Sequence, residues 1–173
     1  MNFTITDEMD QKRAGEVADV LLGERLWIPT ADDYGESKHS LWVDKATQEI
    51  ARGERFAILA KYGSVPVGAL VWRLGEEPGE IDLRNISIVP DMRGQHLGSF
   101  VMHQLPIIAK DHFQQTKEQN PANNLTINVD AKETNLEMIA FLKSMGFVAE
   151  DTRDLYGSGK LDVVMQWRLK LPL

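Results

Sequence analysis

The apolar residues of this chain change period several times, and each change marks an element. Phe3-Thr4-Ile5 alternates and reads as a short first strand. Ala14, Val17, Val20, Leu21 and Leu22 recur at helical spacing. Residues 28 to 39 carry Pro29, Asp32, Asp33, Gly35 and Ser37 and read as a loop. A second helical pattern runs from about Leu41 to Ala51 and stops at Gly53. Arg55 to Tyr62 and Val65 to Leu74 read as strands joined by a hairpin at Gly63-Ser64, and Gly75 to Gly79 forms the next turn.

Glu80 to Val89 is a third long strand with an interruption. Ile81 and Leu83 share one face, and so do Ile86 and Ile88, but the parity slips by one residue at Arg84-Asn85. One extra residue is what a β-bulge inserts, and a bulge splays a strand from its neighbour. Leu97, Val101, Leu105 and Ile108 then fall on one helical face, with Pro106 inside the pattern, where it should kink the helix or leave a carbonyl unpaired. Lys117 to Asn124 is a polar loop with Pro121, and Leu125 to Val129 alternates as a strand. Asn135 to Lys143 is a short helix closed by Gly146 in a C′-like position. Phe147 to Tyr156 and Leu161 to Leu169 finish the chain as two strands around Gly157-Ser158-Gly159. With no repeat, low-complexity tract or linker, one α/β domain over residues 1–173 is the economical reading.

Composition narrows the chemistry. The 173 residues are 43% hydrophobic and 26% charged, ordinary values for a globular domain. The absence of cysteine removes disulfides, thiolate metal sites and a cysteine nucleophile. A net charge of −7 argues against a general nucleic-acid binder, which needs a basic surface to release counterions. No apolar run approaches the roughly 18 residues of a membrane span, and no basic-then-apolar leader opens the chain. A cytoplasmic protein without membrane or nucleic-acid partners is expected, and a homodimer is left open. His39, His103 and His112 have no metal-like spacing, so no metal is expected.

The richest segment is Ile86-Ser87-Ile88-Val89-Pro90-Asp91-Met92-Arg93-Gly94-Gln95-His96-Leu97-Gly98-Ser99. A β-branched run ends at a proline, a basic glycine-punctuated turn follows, and a helix begins. Such a junction leaves backbone N–H groups free to point at one spot, which suits a phosphate. It lacks the Gly-Lys-Ser/Thr ending of a nucleotide loop and the G-x-G-x-x-G of a dinucleotide site.

The segment resembles the acetyl-CoA-binding motif of the GNAT acyltransferase superfamily, Gln/Arg-x-x-Gly-x-Gly/Ala after a bulged strand ending in Val-x-Pro. Ile88-Val89-Pro90, Arg93 and Gly98 match, and His96 replaces the middle glycine. Val129, Asn135 and Phe141-Leu142-Lys143-Ser144-Met145-Gly146-Phe147 are similar to the family's second motif, with Met138 in place of an alanine and Leu142 in place of the tyrosine that protonates the departing thiolate in many members. Asp162-Val163-Val164-Met165 resembles its last strand.

The resemblance implies a mixed, mostly antiparallel sheet of about seven strands, split by a bulge and flanked by about four helices. It implies acetyl transfer from acetyl-CoA to an amine of a small molecule or protein, by direct attack. Cofactor contacts would come from Ile86, Ile88, Val89, Arg93, Gly94, Gln95, His96, Leu97, Gly98, Ser99 and Asn135. A backbone N–H near Ile88 would polarise the thioester, the amides of 94 to 99 would carry the pyrophosphate, and Asn135 would hold the CoA arm. Attack needs a neutral amine, so a base must accept a proton. Glu80 is the favoured base, at the spacing from Arg93 where histone-type members keep a glutamate, and Asp82, two residues on and on the same face, is its rival. With Leu142 in the tyrosine's place, Tyr156 is the candidate acid and Ser144 a weaker one. The alternative is a non-catalytic acyl-CoA sensor.

Overall fold

The computed structural model describes residues 3–23, 36–116, 124–155, 157 and 159–170, and for 36–40 and 42 the backbone alone. Trp27, Asp32, Asp33, Pro121 and Tyr156 lie outside the described residues, as does the side chain of Trp42. The elements are β1 (Phe3–Thr6), α1 (Gln11–Gly23), α2 (Glu36–Ala51), β2 (Phe56–Tyr62), β3 (Val65–Leu74), β4 (Glu80–Ile88), a 3-10 turn (Pro90–Met92), α3 (Leu97–Gln115), β5 (Asn124–Lys132), α4 (Leu136–Ser144), β6 (Val148–Arg153) and β7 (Asp162–Lys170). The strands form a mixed sheet in the order β1-β2-β3-β4-β5-β7-β6. β4 and β5 are parallel, while β1–β2, β2–β3, β5–β7 and β6–β7 are antiparallel. This is the expected α/β class.

The chain packs as two compact units. The first takes residues 1–73 and 84–105. Its apolar layer joins Ala14, Val17, Val20 and Leu21 of α1 and Val43 and Ile50 of α2 to Ala57 and Leu59 of β2 and Ala69 and Val71 of β3. Asp10 caps α1, its Oδ1 accepting the Arg13 N–H at 2.7 Å. That bond holds the Asp10 carboxyl below its ordinary range. Two expectations are corrected here. Leu22, counted with the apolar residues at helical spacing, is 37% exposed. α2 begins at Glu36 rather than near Leu41, because its first turn is polar and gives no apolar period; Leu41 itself is 66% exposed. Arg55, just before β2, pairs with Glu49 of α2 at 2.5 Å, and Lys61 of β2 pairs with Glu16 of α1 at 2.6 Å.

β3 and β4 show the bulge directly. At one end of the pair the Gly75 N–H donates to the Glu80 carbonyl, and at the other the Val89 N–H donates to the Val67 carbonyl. Between these bonds β3 takes eight steps, Val67 to Gly75, and β4 takes nine, Glu80 to Val89. The extra residue lies in β4 and shifts its parity, as expected.

The second unit takes residues 74–83 and 106–173. Its β4–β5 register runs from Glu80↔Thr126 to Leu83↔Val129, and β5–β7 pairs from Asn124↔Lys170 to Lys132↔Asp162. Asn135 caps α4, accepting the Met138 N–H at 3.2 Å. The helix stops at Gly146, whose φ of +98° lies in the left-handed region. Phe147 then packs on Trp167 with ring centroids 5.6 Å apart. A Cβ on Gly146 would stand 3.0 Å from Trp167 Nε1. Gly146→Ala is therefore expected to destabilise the protein by about 2 kcal/mol, from backbone strain plus overpacking. Urea unfolding measures it, and an unchanged midpoint would contradict this packing. α3 passes through both units and continues past Pro106, which deprives the Met102 carbonyl of its usual helical donor.

Candidate active site

The turn between β4 and α3 is built to leave its amides bare. Pro90 opens the 3-10 turn, where its missing N–H costs nothing. The Met92 N–H donates to Val89 O and the Arg93 N–H to Pro90 O. The chain then passes through two left-handed residues, Gly94 (φ +70°) and His96 (φ +60°). Glycine takes that conformation freely, whereas a side-chain-bearing residue carries a strain of roughly 1–2 kcal/mol. His96 is the one non-glycine with positive φ among the described residues, and it stands where the family motif has glycine. Leu97, 1% exposed, anchors the helix start.

The outcome is a run of six backbone N–H groups, residues 94 to 99, that bond no protein acceptor among the described residues; the next, Phe100 N–H, closes the helix onto His96 O. They sit at the positive end of the α3 dipole. Arg93 is positioned by its own strand: its Nε donates to the Ile88 carbonyl at 3.0 Å. The Gln95 side chain donates to Asp91 O at 3.1 Å, and His103 Nδ1 lies 2.7 Å from Ser99 O.

Alternation along β4 sets the direction of its backbone groups beyond the bulge. Because Val89 and Val67 form a hydrogen-bonded position, Ile88 occupies the next, non-bonded one opposite Gly68, and its N–H points away from β3. Ile86 follows the same parity. Both lie beyond Leu83↔Val129, the last pair of the β4–β5 register. The Val89 N–H donates to the Val67 carbonyl, which leaves only the Val89 side chain for the cofactor contact expected of it.

The second unit carries the other candidates. Glu80 and Asp82 are half-buried on β4 and stand opposite Thr126 and Asn128 of β5. Asn135 spends its Oδ1 on the α4 cap, so only its Nδ2 remains as a donor for a ligand. Leu142 is fully buried and belongs to the core. Ser144, the weaker acid candidate, donates its hydroxyl to the Phe141 carbonyl at 2.6 Å. Asp162, fully buried beside Lys132 at 3.4 Å, has its carboxyl pushed up by burial. No group of three metal-ligating side chains occurs among the described residues.

Two further residues give no sign of themselves in the motif pattern. Asn85 (6% exposed) and Ser87 (1%) are buried on β4, and neither Asn85 Oδ1 nor Ser87 Oγ has a hydrogen-bond partner among the described residues. An unsatisfied buried polar atom costs about 1–3 kcal/mol. The signal that could have found them is the bulge: once parity shifts, they are the polar members alternating with Ile86 and Ile88.

The fold is shared with known acetyltransferases. The PaiA N-acetyltransferase of Thermoplasma acidophilum, solved with coenzyme A, superposes with a TM-score of 0.70 at 16% identity over 96% of this chain and 99% of that one. A GNAT-family protein from Desulfovibrio desulfuricans gives 0.69 at 16% over 99% and 100%. The ribosomal-protein-S18-alanine N-acetyltransferase of Escherichia coli gives 0.66 at 14% over 99% and 97%. No curated protein sequence matches the chain. Residues 24–147 match the acetyltransferase (GNAT) family, and the chain belongs to it.

Proposed function

We propose that the chain, as one domain, transfers an acetyl group from acetyl-CoA to a primary amine of a small molecule or protein. The observation that carries this reading is the run of six bare amides at 94 to 99. A pyrophosphate there receives charge-assisted hydrogen bonds worth roughly 1.5–3 kcal/mol each, with Arg93 adding charge. The Ile88 N–H, directed away from β3, polarises the thioester carbonyl; one such donor contributes about 3 kcal/mol in the transition state. The Asn135 Nδ2 donates to the CoA arm. Glu80, or Asp82 in its stead, takes the amine's proton through water, because both stand six or more residues along β4 from Ile88. The nitrogen lone pair then forms the C–N bond, the nitrogen gives up its surplus proton to solvent, the C–S bond breaks, and CoA leaves as thiolate, to be protonated by Tyr156 or solvent. No metal takes part, and the protein works in the cytoplasm. No helix among the described residues is long and apolar enough to cross a membrane.

Leu142 in the core favours a second reading, a non-catalytic acyl-CoA sensor. One experiment separates them. Acetyl-CoA is expected to raise the melting temperature, and a panel of amines to release CoA thiol. Stabilisation without turnover would favour the sensor, and no stabilisation at all would remove both.

A further inference from the structure

Three arginines stand together on the face of the sheet that meets α1 and α2. Phe56 pairs with Trp72, so Arg55, one step earlier, stands opposite Arg73. Counted from Gly75 and Glu80, and ahead of the extra residue in β4, Arg84 stands opposite Val71 and diagonal to Arg73. Residues two apart on a strand share a face, so all three lie on the side of Ala57 and Val71, which pack on the helices. All three belong to the first unit. Their fields overlap: burial loosens the hold of Arg55 on its proton, Glu49 opposes this, and Arg84 and Arg73 add to it. Like charges set opposite each other destabilise a sheet. Glu49 is shared between Arg55 at 2.5 Å and Lys45 at 3.7 Å. Asp82, two residues before Arg84 on β4, adds one more carboxylate. The three arginines and Lys45 still outnumber these two acids, in a chain whose net charge is −7. Positive charge gathered in one place on an acidic protein attracts an anion there. The Arg55 side chain is 13% exposed and held by Glu49, whereas Arg73 is exposed and Arg84 half-buried, so the last two can reach a ligand.

We propose that Arg73 and Arg84 bind a carboxylate carried by the acceptor, which deepens the acyltransferase reading and rests on it. Arg84 and Ile88 sit on one strand, four residues and a bulge apart, a separation of roughly 10–13 Å. The amine reacts beside the Ile88 N–H while the carboxylate is held toward Arg84, so the two groups of the acceptor are several bonds apart. A guanidinium takes a carboxylate through parallel, charge-assisted N–H bonds that a neutral amide accepts only weakly. These bonds go to the carboxylate alone and leave the amine's N–H groups free to give up their proton. The acceptor class is a linear primary amine that ends in a carboxylate.

The test uses the full chain and a thiol-release panel of matched pairs, each an amino acid and its amide, from glycine and glycinamide to ε-aminocaproate and its amide. The longer acids are expected to exceed their amides in kcat/KM by about tenfold or more, chiefly through KM, and to outrun glycine. Arg73→Gln and Arg84→Gln should each shrink that preference about tenfold. Arg84→Lys, which keeps the charge but not the fork, should retain more of it than Arg84→Gln. Should Arg84→Gln fail to fold, Arg73→Gln, at an exposed position, decides alone. A wild type that turns over amines without favouring the acids would overturn the carboxylate site and leave acyl transfer standing. A preference that survives the substitutions would do the same. A wild type that binds CoA but acetylates no amine would overturn acyl transfer and the acceptor class with it.

Discussion

Gly94→Val is expected to weaken CoA binding at least tenfold. An added Cβ at Gly94 meets nothing within 4 Å, so crowding is not the cause. The cause is the backbone: φ is +70°, and a β-branched side chain there is strained by roughly 1–2 kcal/mol. The turn relieves that strain by rotating the adjoining peptides, which redirects their amides. Losing one charge-assisted bond of roughly 1.5–3 kcal/mol corresponds to tenfold or more in Kd. Gly53→Val supplies the control. Its φ is +72° and its surroundings are equally open, but it lies after α2 and away from the turn. It should lower the melting temperature and leave the CoA Kd alone. Calorimetric titration of both variants decides the matter: equal, wild-type affinity in the two would detach the turn from phosphate binding.

Glu80→Gln should cut kcat by roughly 10²–10⁴, the usual contribution of a positioned base, with little change in CoA affinity. The isosteric amide keeps the size of the side chain and its place opposite Thr126 but cannot accept the proton. Asp82→Asn should have a smaller effect. A normal rate in Glu80→Gln with a large loss in Asp82→Asn would transfer the role one pleat along the strand. Normal rates in both would leave the proton to water alone.

How much of this was legible in the sequence differs by element. The hairpin at Gly63-Ser64, the stop at Gly53 and the cap at Gly146 were read correctly, because left-handed φ values of +61°, +72° and +98° select glycine. The bulge in β4 was legible because apolar parity slips when one residue is added, and the slip survives in the strand pairing. The start of α2 was missed because a polar helical turn carries no apolar period. The pairing of β7 between β5 and β6 was not read, since strand order depends on long-range pairing that local patterns do not encode. Of the candidate site, the turn proposed here for the diphosphate was visible as a motif, and its amides bond no acceptor among the described residues. Ser144 looked available only because sequence does not show that its hydroxyl already serves the Phe141 carbonyl. Asn85 and Ser87 looked like ordinary strand residues because sequence records polarity but not the absence of a partner.

The most direct measurement is a titration of isotope-labelled protein with CoA, followed through the backbone amide resonances. The account predicts that the signals of Gly94, Gln95, His96, Leu97, Gly98 and Ser99 move downfield together as their N–H groups engage the diphosphate, and that 3′,5′-ADP, which lacks it, moves them far less. Saturation with CoA that shifted other amides while leaving these six in place would contradict it.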